Sequence, residues 1–169
     1  QLETTVWRVG GRLEEVDVPA CIQDAGEIVG KARVGPGVSI WPRVVKRAET
    51  LENIIGTYSN LQGFVLVHIG DGRGTRIGAY CSITHRATLH GCTIGDNCLI
   101  GINATVMDNV VMGDNRIVAG HSIVPEGAVI PAHSIVAGVP GVVVKSRDNF
   151  IANRIDRKST RPNSSHKHN

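Results

Sequence analysis

Aromatic side chains are scarce, at 4% of 169 residues, while glycine is abundant at 20. With frequent Val and Ile, that balance disfavours helices and favours short strands joined by tight turns. Long hydrophobic runs are missing. No stretch approaches the roughly 20 apolar residues that a membrane-spanning helix needs. The start has no charged, apolar, small-residue signal pattern. A soluble cytoplasmic protein is the expectation. A basic body is missing too, despite a formal net charge of +3. Residues 154–169 hold Arg154, Arg157, Lys158, Arg161 and Lys167 against Asp156 alone, which leaves 13 cations and 14 anions elsewhere. The basic character belongs to the tail and gives no case for nucleic-acid binding. Cysteines 21, 81, 92 and 98 form no Cys-x-x-Cys pair. They read as small core residues, kept reduced in a cytosolic protein.

What is present is a rhythm of six. Apolar residues fall at Ile28, Val34 and Ile40, then at Ile55, Leu61 and Val67, then at Ile77, Ile83 and Leu89. After one five-residue step, Ile94, Ile100, Val106, Met112, Val118, Val124, Ile130 and Val136 follow without a break. Small or β-branched residues recur four places later, as at Val44, Cys81, Ala87, Cys98 and Ala104. An α-helix does not repeat every six residues. A strand that bends at a fixed place does, and this is the hexapeptide signature of a parallel β-helix. Three hexads, about 18 residues, close one triangular coil. Two positions break the pattern. Lys46 sits where an apolar residue belongs, at the start of an irregular stretch where it is expected to escape burial. Arg116 sits where a small residue belongs, and the sequence offers no account of it.

The predicted organisation is all-β. Residues 1–27 form an N-terminal cap, with a hairpin over Val6 to Val18 turning at Gly10-Gly11. Residues 28–145 form the β-helix. Residues 146–155 begin a C-terminal helix with Ser146 as N-cap. Residues 156–169 are a disordered tail of almost no apolar content. The expectation is that the native chain was cut short near Arg154.

The histidines carry the chemistry. His68 and His90 each hold the second place of a hexad. Counting faces puts them in one column, one coil apart, with backbones about 4.8 Å apart. Two nitrogens on one tetrahedral zinc lie roughly 3.3 Å apart, within reach of such neighbours. His85 is third in its hexad, on the preceding face, and its side chain should diverge. Five extended residues, at most about 16 Å, separate it from His90. For all three to hold one metal, His85 must come from another copy, as a closed cyclic trimer would supply. Gly63 stacks beside His85 in the same register. His121, His133, His166 and His168 read as solvated.

The runs SIWPRVVKR, SNLQGFVLVH, ITHRATLHGCTIGDNCLIG and VPEGAVIPAHSIVAGVP resemble the gamma-class carbonic anhydrases, over about Ile28 to Val144. The resemblance implies a left-handed β-helix, a homotrimer, and zinc at each interface, with iron or cobalt as alternatives. It implies His68, His85 and His90 as the metal ligands. It implies Asn60 and Gln62 as polar residues near the metal, and Arg47 with Glu49 as a trimer-interface salt bridge. The reaction implied is the reversible hydration of carbon dioxide, with no nucleic-acid or membrane partner. Gly63 stands where the family carries an aspartate, which implies weak activity. No carboxylate is evident near the histidines, so a proton would have to leave through buffer. The hexapeptide scaffold is shared with acyltransferases and thioesterases, and a non-catalytic trimeric scaffold is the third reading.

Overall fold

The structure is a computed structural model that describes residues 15–16, 21–23 and 25–146. These form a parallel β-solenoid of short strands, with no helix among the described residues. It is the hexapeptide-repeat β-helix that the rhythm predicts. The strands stack in three columns. The first face runs through Cys21–Ile22, Ser39–Ile40, Asn60–Leu61, Ser82–Ile83, Leu99–Ile100, Ile117–Val118 and Ser134–Ala137. The second contains Leu66–His68, Thr88–His90, Thr105–Val106 and Ile123–Val124. The third contains Arg76–Ile77, Thr93–Ile94, Val111–Met112 and Val129–Ile130. The long strand Val45–Ile55 pairs with the second face at its start and the third at its end.

The rhythm begins at Ile28, and the parallel ladders reach further back, to Cys21–Ile22 and Glu15–Val16. The rest of the expected hairpin lies outside the described residues. At the other end Ser146 closes the strand Val142–Ser146, which runs antiparallel to Ser134–Ala137. The expected helix beyond it, and the tail, lie outside the described residues.

The hexad positions line the interior: Leu61, Val67, Ile83, Leu89, Ile100 and Val106 are fully buried. Cys81, Ala87, Cys98 and Ala104 fill the corners, also buried. The cysteines are free thiols, and burial pushes the Cys92 thiol up to about 12. Corner glycines are there for close approach. A Cβ on Gly78 would come within 2.6 Å of the Gly95 backbone one coil away. The left-handed backbone at the corner between the first two faces falls on other residues: Arg43, Phe64, Arg86, Asn103 and His121. Among the described residues no helix is long and apolar enough to cross a membrane.

Lys46 corrects an expectation. It does not escape to solvent; it is fully buried, in the interior position opposite Val67. Its Nζ donates to the carbonyls of Val29 at 3.3 Å, Gly30 at 3.3 Å and Lys31 at 2.7 Å. Those carbonyls belong to a bulged strand whose register slips between Gly30 and Ala32. The amine binds a local irregularity that the six-residue count does not see. Arg116 is also buried. Its Nε donates to the Pro131 carbonyl, but Nη1 has no partner. Burial holds the guanidinium pKa below the usual arginine value.

These two buried cations should respond oppositely to the same substitution. Lys46→Met removes a donor shared by three carbonyls and should cost about 1–3 kcal/mol. Arg116→Met removes a buried charge with an unmet donor and should gain about 1–3 kcal/mol. The Pro131 carbonyl keeps the Ser134 hydroxyl at 2.7 Å as its donor. Denaturant midpoints of the two variants check the signs.

Candidate metal centre

The ladder between Leu66–His68 and Thr88–His90 is in register, with His90 opposite His68. Alternation along each strand turns Val67 and Leu89 inward and both histidines outward. The two imidazoles meet edge to edge, His68 Nδ1 lying 3.1 Å from His90 Nε2. That separation is close to the roughly 3.3 Å between two nitrogens on one tetrahedral zinc. The pair therefore fits two corners of one coordination sphere.

Carboxylates flank the pair on both sides, which corrects the expectation that none is near. His90 Nδ1 lies 2.8 Å from Asp108 Oδ1. His68 Nε2 lies 3.5 Å from Glu49 Oε2. Glu49 is ion-paired in turn with Arg47 of the same chain. A hydrogen bond from its own backbone N–H, aided by Arg47 against a burial penalty, holds the Glu49 carboxyl below its ordinary value. The sequence hid both acids for different reasons. Glu49 lies in the irregular stretch, where hexad counting stops. Asp108 is one coil beyond His90 and far from it along the chain. A signal was available: Leu89 pairs with Val106, so Asp108, two places on, falls beside the His90–Gly91 corner.

The other candidates lie elsewhere on the chain. His85 is exposed, in the turn between the first and second faces. A Cβ on Gly63 would stand 3.7 Å from His85 Nδ1, so these two are neighbours as the register predicts. On the first face, Gln62 Nε2 donates to Asn60 Oδ1 at 3.4 Å, and the Ser82 hydroxyl donates to the same oxygen at 3.3 Å. The chain thus holds two sets. His68, His90, Asp108, Glu49 and Arg47 gather on the second face. His85, Asn60, Gln62 and Gly63 gather on the first face and its corner. Among the described residues of one chain, no three His, Cys, Asp or Glu side chains form a metal-holding group.

Fold and repeat define a class first: the hexapeptide-repeat β-helix proteins. The family described as bacterial transferase hexapeptide (six repeats) matches residues 91–126. A protein of Methanocaldococcus jannaschii named a probable carbonic anhydrase is 56% identical over 118 residues, 70% of this chain and 74% of that protein. Gamma carbonic anhydrase 1, mitochondrial, of Arabidopsis thaliana is 33% identical over 106 residues, 59% of this chain and 38% of that protein. The chain therefore belongs to the gamma-class carbonic anhydrase-like hexapeptide-repeat family. Among solved structures, a hexapeptide transferase family protein from Anaplasma phagocytophilum superposes with a TM-score of 0.84 at 28% identity, covering 91% of this chain and 90% of that one.

Proposed function

We propose that this protein is a trimeric metalloprotein that reversibly hydrates carbon dioxide at sites shared between neighbouring copies. The observation that carries the reading is the His68–His90 pair, 3.1 Å apart, with His90 anchored on Asp108. In this reading His68 and His90 of one copy and His85 of the next hold zinc, with iron or cobalt as alternatives. Bound zinc would supply a Lewis acid that makes water nucleophilic near neutral pH. The chain supplies the rest. Asn60 and Gln62 present amides that orient the reactants by hydrogen bonds, and an amide cannot take the proton. Glu49, ionised beside Arg47, is the acceptor nearest His68. Arg47 with Glu49 also offers a charged pair for the interface. The relatives named as carbonic anhydrases support the reaction; the transferase scaffold keeps acyl transfer as its rival.

Metal analysis of the purified protein, its mass in solution and a carbon dioxide hydration assay test the proposal together. The expected result is a trimer with metal stoichiometric to chain and slow, metal-dependent hydration. Metal-independent turnover of a coenzyme A thioester would overturn it in favour of acyl transfer.

A further inference from the structure

We propose that Asp108 is a positioning residue that fixes the tautomer of His90, its carboxylate seated in a notch that Gly70 and Gly91 leave open. The Asp108 carboxylate lies where two successive coils turn from the second face to the third. A Cβ on Gly70 or on Gly91 would overlap Asp108 Oδ1. Both coils are therefore notched at the one place the carboxylate occupies. Gly70 is buried and has no left-handed backbone; a Cβ there would meet the Gly91 Cα at 2.9 Å as well as Asp108 Oδ1, so the same pair of glycines that lets the two coils approach also leaves the carboxylate its space.

The notch sets the chemistry of the ring. Asp108 Oδ1 lies 2.8 Å from His90 Nδ1, and an ionised carboxylate can only accept. Nδ1 therefore carries the proton, and in the neutral ring Nε2 is left with a free lone pair. That nitrogen faces His68 at 3.1 Å. A histidine whose second nitrogen is held by a carboxylate is oriented and made a better donor to metal. The consequence for metal rests on the reading of His90 as a ligand. The tautomer itself does not.

Nitrogen-15 NMR of the histidine rings tests this in the whole chain, freed of metal by chelation, at about pH 8, where an ordinary imidazole is neutral. His90 should carry its proton on Nδ1. Asp108→Ala should move that proton to Nε2, while Asp108→Asn, which keeps an acceptor oxygen, should retain the original tautomer. Gly70→Ala leaves Asp108 and His90 in the sequence but closes the notch, and should act like Asp108→Ala. If Gly70→Ala does not fold, the two Asp108 variants decide alone. Zinc affinity by chelator competition should fall about 10–100-fold in Asp108→Ala. A parent protein with His90 protonated on Nε2 would overturn the proposal, as would an unchanged tautomer in Asp108→Ala, whatever happens to zinc. A parent that takes up none of zinc, iron or cobalt would defeat the proposed function, and the tautomer result would still stand on its own.

Discussion

A chain carrying His85→Ala should bind no metal, nor should one carrying both His68→Ala and His90→Ala, yet metal should return when the two are assembled together. The expectation follows from where the side chains sit. His68 and His90 are partners in one ladder on the second face. His85 is exposed at the corner before it. No third His, Cys, Asp or Glu completes a metal-holding group with the pair among the described residues of one chain. Two imidazoles and one distant imidazole make a three-ligand site only when a neighbour's corner docks against the second face. In a cyclic trimer each chain gives its pair to one neighbour and its His85 to the other. A mixed trimer of the two variants then has about one intact site in three, whichever variant is in excess. Metal content of mixed trimers, separated by distinct tags, reads this directly. Recovery near one third supports the shared site. No recovery in verified mixed trimers rejects it.

The register behind that experiment was legible in the sequence because the repeat ties chain position to space. Counting hexads from Val67 to Leu89 is enough to set His68 against His90, and from Leu61 to Ile83 to set Gly63 beside His85. Both neighbours are found. Departures from the repeat were not legible. Lys46 breaks the apolar rule, and its burial depends on carbonyls of a bulge more than a dozen residues away. Arg116 breaks the size rule and is buried with one nitrogen unpaired, so the sequence could flag it without explaining it. The closing strand Val142–Ser146 follows the last hexad, where the count ends. Asp108 obeys the repeat: the step from Leu89 to Val106 sets it beside Gly91, so its place follows from the same register. Of the candidate metal centre, then, the pairing of His68 with His90 was readable. Asp108 follows from the same count, whereas Glu49, in the irregular stretch, needed the three-dimensional ladder.

Gly63→Asp should raise carbon dioxide hydration by about 10²–10⁴-fold, the usual contribution of one positioned proton acceptor, at unchanged metal content. The position beside His85 belongs to glycine here and to aspartate in the resembling family. The backbone does not demand the glycine. The left-handed residue of this turn is Phe64, at φ 65, and Gly63 lies outside that region. A new Cβ would stand 3.7 Å from His85 Nδ1, in ordinary contact, and 3.3 Å from the Pro42 carbonyl, which must yield by a few tenths of an ångström. The turn is partly open at this point and His85 is exposed, so the added carboxylate has room to reach toward the ring. It would add an acceptor that the amides of Asn60 and Gln62 cannot provide. Fast hydration by the parent protein would show that an acid at residue 63 is unnecessary. A folded, metal-loaded Gly63→Asp trimer with no gain would count against carbon dioxide as the substrate. The missing acid would then mark a site whose geometry was kept for another reaction, or for assembly alone.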